Sequence, residues 1–310
     1  DYNPAIGVGY VFIANLAANS IFVLFFIKTL LTWRPVWDKS ISPQMLSYAY
    51  PVMITGVAGM INEMFSRSML DWWLPENFYE GVTRKEAGGI FGACYKFSVF
   101  MNLGIQAFRY AAEPFFFSNS HDKISPALFA KINHYFVITC CVVLLGVSIN
   151  IDILKHLIGD NFWGGLSIVP PLLLSYLFLG IYYNMSVWFK LTDQTHWGTI
   201  ITLIGAAITI AGNIMFIPIL GFMGSALAAV LCYFTMAGIC YLVGQRNYPV
   251  PYTITRDVGY IIFTYSIILL ISKVSFQSQW LATGFHTFAI ILFLVFIYFA
   301  ERKNFNKAIA

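Results

Sequence analysis

The chain has 310 residues, of which 59% are hydrophobic and only 10% are charged, and its net charge is +4. A soluble globular protein carries roughly 25% charged residues. This composition therefore excludes the soluble, disordered and collagen-like classes, and so small a charge excludes a nucleic-acid-binding surface. The apolar runs are long and continuous, as in membrane-spanning helices. We expect an all-α polytopic membrane protein.

Nine apolar stretches, separated by polar or Pro/Gly-rich breaks, are long enough to cross about 30 Å of hydrocarbon as helices. In the fifth stretch, Pro170 and Pro171 lie near the beginning, where we expect either a kink or an N-terminal helical turn. The predicted spans cover residues 5–31, 44–70, 87–113, 133–158, 166–189, 196–217, 221–244, 256–274 and 280–300.

Orientation follows from the Lys and Arg residues of the short loops, which concentrate on the cytoplasmic side of a membrane. Their distribution places residue 1 outside and the C-terminus in the cytoplasm. Since the chain starts with Asp1, close to an apolar run, we expect it to be a portion of a longer protein.

The cysteines do not indicate a metal site or a disulfide framework. All lie in apolar runs without ligand-type spacing to histidine, as expected of small core residues. The sequence also has no metalloprotease, nucleophile-elbow or phosphate-loop motif. We therefore predict no catalytic residues, no metal, no cofactor and no enzymatic activity. The cysteines are Cys94, Cys140, Cys141, Cys232 and Cys240.

Ionisable residues are costly inside a membrane and usually face a cavity or a partner. In the second span, Glu63, Arg67 and Asp71 are spaced at i, i+4 and i+8, so they share one helix face and Arg67 can pair with either carboxylate. The third span has a polar stripe at helical spacing. The stripe consists of Tyr95, Ser98, Asn102, Gln106, Arg109 and Glu113.

Two interpretations of these charges remain open. In the first, they pair within the bundle and only fix the positions of the helices, which the spacing of Arg109 and Glu113 also permits. In the second, they line a water-filled path for a substrate. Lys96 favours the second interpretation, because no acidic residue lies three or four positions away from it.

Small residues in the seventh span predict close contact between helices. Gly221, Gly224 and Ser225 lie on or beside one face, where backbones can approach each other.

Three segments carry a resemblance to a known family. They are residues 47–70 (SYAYPVMITGVAGMINEMFSRSML), residues 88–117 (GGIFGACYKFSVFMNLGIQAFRYAAEPFFF) and residues 216–233 (FIPILGFMGSALAAVLCY). In order and spacing, the sequence resembles the second lobe of Wzx-type polysaccharide or O-antigen flippases. These belong to the multidrug/oligosaccharidyl-lipid/polysaccharide (MOP) exporter superfamily.

The resemblance implies a fold of fourteen helices, built from two six-helix lobes and two trailing helices. The nine spans would then be helices 6–14, the C-terminal portion of that fold. Residues 1–43 would be the last helix of the first lobe with a cytoplasmic linker. Residues 44–245 would form the second lobe, and residues 246–310 the two trailing helices and the cytoplasmic C-terminus.

The resemblance also implies a function. Such proteins flip undecaprenyl-diphosphate-linked oligosaccharide across the bacterial inner membrane by alternating access, for lipopolysaccharide and other surface polysaccharides. The implied partners are the lipid-linked oligosaccharide, the bilayer and other polysaccharide-assembly membrane proteins.

We expect the site residues of this function among the polar groups of the second and third spans. The alternatives are a drug/cation antiporter of the same superfamily, which needs a net acidic cavity, and a membrane-embedded transferase or non-catalytic subunit. The expected diphosphate ligands are Arg67, Lys96 and Arg109, the expected sugar ligands Tyr95, Asn102 and Gln106, and the possible coupling carboxylates Glu63, Asp71 and Glu113.

Overall fold

The computed structural model describes residues 6–34, 38–118, 126–192, 194–274 and 278–309. Side chains are described for the same ranges except at positions 48, 51–52, 113–118, 279 and 303–309. These ranges contain helices, turns and short connections and no β-strand. The all-α prediction is therefore confirmed.

Residues Asp1–Tyr50 form one compact unit. It contains helix α1 (Gly9–Phe25), helix α2 (Ile27–Thr32) and the beginning of α3 (Ser42–Trp73). The large apolar side chains of α1 are exposed, as in a helix that meets lipid or another protein.

Residues Pro51–Ala310 form the second compact unit. Besides the rest of α3, it contains ten helices and three 3₁₀ segments. The helices are α4 (Arg84–Tyr95), α5 (Val99–Ser118), α6 (Pro126–Ile149), α7 (Ile151–Leu154), α8 (Val169–Met185), α9 (Val187–Leu191), α10 (His196–Leu220), α11 (Phe222–Asn247), α12 (Ile254–Ile271) and α13 (Gln279–Ile309); the 3₁₀ segments are Lys96–Ser98, Lys155–Leu157 and Asp160–Ile168.

Helix α8 lies in the interior of the second unit. It contacts α5, α6 and α11, and its side chains Leu172, Leu173 and Leu177 are fully buried. A helix that is apolar on all sides is expected in such a central position. At Gly180 the missing side chain leaves room for the ring of Phe136 on α6. Close packing of this kind holds membrane helices together, because lipid tails are as apolar as the side chains.

A buried polar network joins α3 to α10 and α11. Asn213 donates from Nδ2 to Ser66 Oγ over 3.1 Å and accepts at Oδ1 from Ser225 Oγ over 2.7 Å. Thr209 donates to Asn62 Oδ1 over 3.3 Å. These side chains satisfy one another's hydrogen bonds, which fixes the register between the three helices.

Six described helical segments are long and apolar enough to cross a membrane. This supports a multi-pass membrane protein. The other three predicted spans correspond to α1, which has 17 residues, to α3, and to α4 with α5, which contain the ionisable and polar residues. The count of nine spans, and the domain boundaries after residues 43 and 245, stay predictions. The six segments are Pro126–Ile149, Asp160–Leu191, His196–Leu220, Phe222–Asn247, Ile254–Ile271 and Trp280–Arg302.

The fourth predicted span has different bounds in the structure. Instead of residues 133–158, α6 begins at Pro126 and ends at Ile149. Proline suits the first position of a helix, where its missing N–H has no intrahelical partner in any case. At the other end, Asn150 leaves the helical conformation, and its side chain donates to the Gly146 carbonyl over 2.9 Å.

Candidate functional site

A basic pocket lies between α3, α4 and the connection that follows α7. Its volume is about 740 Å³. We call it the basic pocket throughout. It is lined by Arg67, Ser68 and Asp71 of α3, by Lys85, Gly88, Gly89, Gly92 and Ala93 of α4, by Lys96, and by residues 157–159 and 162.

The charge of the basic pocket is not balanced by its own residues. Arg67, Lys85 and Lys96 contribute three positive charges and Asp71 one negative charge, a net +2. Among the side chains that the structure describes, none of these four forms an ion pair within 4.0 Å. The pocket is therefore suited to an anion.

Glycine at position 92 makes room for the guanidinium group of Arg67. A Cβ atom at Gly92 would lie 2.7 Å from Nη2 and 2.9 Å from Nε of Arg67. These distances are too short for non-bonded contact, so the planar group lies flat on α4 only because position 92 lacks a side chain. One turn earlier, a Cβ atom at Gly88 would lie 3.7 Å from the carbonyl oxygen of Arg67.

A capping box fixes the start of α4, and with it the position of Lys85. The Thr83 backbone N–H and hydroxyl both donate to Glu86 Oε2 over 2.8 Å, and Glu86 N–H donates back to Thr83 Oγ1 over 3.3 Å. Two unpaired N–H groups at the helix start are thus satisfied. These hydrogen bonds from Thr83 lower the pKa of the Glu86 carboxyl group.

The predicted trio of the second span stays on α3, but its members have different surroundings. Arg67 and Asp71 line the basic pocket. Glu63 instead accepts a hydrogen bond at Oε1 from the Tyr176 hydroxyl of α8 over 3.1 Å. The Tyr95 hydroxyl contacts that of Tyr176 and donates to the Glu63 carbonyl over 3.3 Å. Tyr95 therefore joins α4 to α3 and α8 rather than facing the pocket.

The predicted polar stripe is interrupted at Lys96. Residues Lys96–Ser98 form a 3₁₀ turn between α4 and α5, which changes the helical phase between Tyr95 and Asn102. Asn102 and Gln106 are half-buried on α5. Further along, the Arg109 guanidinium lies over the ring of Tyr183, with 4.4 Å to the centroid. The side chain of Glu113 lies outside the described residues.

The structure thus brings Arg67, Asp71 and Lys96 together and keeps Arg109 apart. Sequence reasoning missed Lys85, which it assigned to a loop, and the connection at residues 157–162. A signal for Lys85 was present: Lys85, Gly88, Gly92 and Lys96 recur every three or four residues, which places them on one helix face.

The three small residues at the turn into α11 have different roles. Gly221 follows α10 and forms the turn into α11. Its backbone φ angle is +55°, a value that residues other than glycine rarely adopt. At Gly224, a Cβ atom would lie 2.8 Å from Ile217 N and closer still to the Phe216 carbonyl. Ser225 is fully buried and belongs to the network with Asn213.

Tyr79 stabilises the turn at Gly221 through two contacts with the next residue, Phe222. Its hydroxyl accepts from the Phe222 N–H over 3.0 Å, and its ring stacks on that of Phe222 with 4.2 Å between centroids. Burial raises the pKa of the Tyr79 hydroxyl, so it stays protonated.

Among the described residues, no group of three or more His, Cys, Asp or Glu side chains has an arrangement that could hold a metal ion, and the five cysteines are free and buried. No protein-family model, curated protein or solved structure matches the chain.

Proposed function

We propose that the chain moves a diphosphate-linked lipid, of the class that carries oligosaccharides, across a bacterial inner membrane. The proposal includes the fold expected from the Wzx-type resemblance, with nine membrane spans and alternating access. The observation that carries it is the basic pocket, a cavity of about 740 Å³ with three cations and one carboxylate in a multi-pass chain.

The chemistry of the pocket suits a diphosphate group. Arg67 offers a planar fork of N–H donors that matches two phosphate oxygens, whereas Lys85 and Lys96 act as point charges. A diphosphate neutralises the net +2 of the pocket, and neither partner is left with an uncompensated charge near lipid. Gly88 and Gly89 leave the α4 backbone open to a close approach by the ligand.

The sugar part of such a ligand is bulky and polar, so it needs hydroxyl, amide and aromatic groups. Asn102 and Gln106 on α5 are half-buried and offer amide groups of this kind. We keep them as proposed sugar ligands. Tyr95 and Arg109 are engaged with Tyr176 and Tyr183, so we propose that they position α4 and α5 rather than bind the diphosphate.

The charge of the basic pocket also separates this function from drug/cation antiport. A cavity for cationic drugs needs acidic residues, and Asp71 is outnumbered by three cations. The lipid-diphosphate proposal therefore has the better electrostatic support.

Equilibrium binding tests the proposal. The purified chain in lipid nanodiscs is titrated with three probes, namely undecaprenyl diphosphate, undecaprenyl monophosphate and undecaprenol. We expect affinity to fall in that order, and to fall with rising salt, since a charged pocket is partly screened.

A matched pair of variants locates the binding. Lys85→Ala removes a pocket cation and should weaken diphosphate binding, whereas Lys273→Ala removes an exposed lysine beyond α12 and should not. Equal affinity for the three probes, or equal effects of the two variants, would contradict the proposal.

A further inference from the structure

A second cleft, of about 340 Å³, lies between α12 and α13. We call it the α12–α13 cleft. Its volume is within the range of roughly 300 to 1,000 Å³ that is typical of ligand pockets. It is separate from the basic pocket, because the two share no lining residue. The lining consists of Arg256, Gly259, Tyr260 and Phe263 of α12 and of Phe296, Ala300 and Glu301 of α13.

The charged end of the α12–α13 cleft lies where two candidate membrane spans begin and end. Arg256 is the third residue of the span Ile254–Ile271, and Glu301 is the last but one of the span Trp280–Arg302. The Tyr260 hydroxyl donates to Glu301 Oε1 over 2.8 Å, so these two helix ends lie at the same level. We therefore place this end of the cleft at the membrane surface, beside the lipid headgroups.

The other end of the cleft is apolar and lies deeper. Phe263 follows Arg256 by seven residues, which corresponds to about 10 Å along the axis of α12. The rings of Phe263 and Phe296 are 4.9 Å apart and remain 42% and 46% exposed. Since the headgroup region of one leaflet is roughly 5–8 Å thick, the two rings lie at the depth at which acyl chains begin.

The two charged residues of the lining differ in their surroundings. Glu301 is 2% exposed, and its Oε1 lies 3.2 Å from His134 Nε2 in addition to accepting from Tyr260. This carboxylate therefore belongs to the interior contacts between α6, α12 and α13. Arg256 is exposed, and among the described side chains it forms no ion pair within 4.0 Å. A ligand that enters the cleft thus meets the cation.

A phospholipid matches both ends of the cleft. The Arg256 guanidinium group offers N–H donors for two phosphate oxygens, and the aromatic rings bury the first methylene groups of an acyl chain. Basic pockets between membrane helices bind lipid headgroups in this way. Arg302, which is exposed and follows Glu301, adds a second cation at this end. An anionic headgroup therefore fits better than one that carries an ammonium group.

We propose that the α12–α13 cleft binds one anionic phospholipid, with its phosphate on Arg256 and an acyl chain along Phe263 and Phe296. The lipid belongs to the leaflet at this end of the helices, which the distribution of Lys and Arg predicts to be the cytoplasmic one. By filling the cleft, it stabilises the contact between α12 and α13. This proposal does not rest on the proposed lipid-diphosphate transport.

Native mass spectrometry of the full chain tests the proposal, because it counts the lipid molecules bound to each protein molecule. The delipidated chain is titrated with phosphatidylglycerol and with phosphatidylethanolamine of the same acyl length. We expect one phosphatidylglycerol to bind more tightly than phosphatidylethanolamine, and inorganic phosphate not to displace it. Equal affinity for the two lipids would contradict the proposal. Displacement by an equal concentration of undecaprenyl diphosphate would assign the cleft to that lipid and overturn the proposal.

A pair of arginine variants locates the bound headgroup. Arg256→Ala should weaken phosphatidylglycerol binding about fivefold, or roughly 1 kcal/mol, the usual contribution of one basic residue near an anionic surface. Arg246→Ala is the matched control, because it removes an exposed arginine in the last turn of α11 that does not line the cleft. Equal affinities of the two variants would contradict the proposal.

A second pair covers the case in which Arg256→Ala does not fold. A Cβ atom at Gly259 has no other atom within 4 Å, so Gly259→Leu fills the cleft without a collision and without a change of charge. Gly284→Leu on α13 is the control, since position 284 is equally open and lies outside the lining. We expect only Gly259→Leu to lose the tightly bound phosphatidylglycerol. Retention of this lipid by Gly259→Leu would overturn the proposal.

Discussion

The guanidinium group of Arg67 on α3 lies flat against Gly92 on α4, where a Cβ atom would be 2.7 Å from Nη2. This relationship sets the geometry of the basic pocket, because it fixes the direction in which the arginine fork faces. It also explains how a large cation can lie between two closely packed helices. Small residues at helix contacts are the usual means of such close approach.

The first prediction concerns this contact. Gly92→Ala places a methyl group where the guanidinium lies, so Arg67 must move and its contact with a phosphate weakens. We expect affinity for undecaprenyl diphosphate to fall about tenfold, or roughly 1.4 kcal/mol, comparable to one hydrogen bond to a charged group.

The matched control is Gly104→Ala on α5, where a Cβ atom has nothing within 4 Å. Titration of both variants in nanodiscs, with the unfolding temperature as a check, provides the comparison. Equal affinities for the two variants would show that the position of Arg67 does not matter for binding.

Lys96 gives the second prediction, because a lysine acts mainly as a point charge whereas arginine presents a fixed fork. Lys96→Ala should reduce diphosphate binding strongly, and Lys96→Arg should retain part of it, with the amount of folded protein unchanged. Undecaprenyl monophosphate should be less sensitive to both changes. If Lys96→Ala binds the diphosphate as the wild type does, Lys96 has only a structural role.

The third prediction concerns the turn between α10 and α11. Gly224→Ala introduces a Cβ atom that collides with the Phe216 carbonyl and with Ile217 N, and backbone atoms cannot move aside as a side chain can. Overpacking costs about 1–3 kcal/mol in folding free energy. We therefore expect a lower unfolding temperature.

Gly238→Ala is the control for this variant. Position 238 lies on the same helix α11, and a Cβ atom there would have no other atom within 4 Å. Since alanine favours helix formation over glycine, this variant should be as stable as the wild type or more so. A loss of stability in Gly238→Ala equal to that in Gly224→Ala would contradict the packing argument.

The fourth prediction concerns pH. The pKa of Glu86 is lower in the folded state because Thr83 donates two hydrogen bonds to its carboxylate. The stabilisation is complete above the ordinary pKa of glutamate and is lost as the pH falls through the lowered folded-state pKa. We expect Glu86→Gln to unfold at a lower temperature than the wild type at neutral pH, and the difference to shrink in acid. A difference that stays constant over this range would argue against the capping carboxylate.

Much of the architecture was predictable, because apolar length and helix breakers are local signals. Pro170 and Pro171 predicted either a kink or an N-terminal turn in the fifth span, and the structure has the turn, since α8 begins at Val169. The shared face of Arg67 and Asp71 on α3 was equally predictable, because the two residues are four positions apart. These signals need no knowledge of distant contacts.

The contacts between distant segments were not predictable in this way. Lys85 was assigned to a loop, since its charge lies just before the apolar run, and only the position of α4 brings it into the basic pocket. Asp257 and Glu301 lie near the ends of their spans, where a charge has little insertion cost, so nothing local marks them as buried partners of His134. Such pairings depend on tertiary packing.

Photolabelling of the basic pocket tests the central claim most directly. An undecaprenyl diphosphate probe with a diazirine next to the diphosphate is irradiated with the full chain in nanodiscs, and labelled peptides are identified by mass spectrometry. We predict labels within residues 85–96 and 157–162, competed by unlabelled undecaprenyl diphosphate and reduced in Lys96→Ala. Labels confined to other helices, or labelling that the unlabelled diphosphate does not compete, would contradict the account.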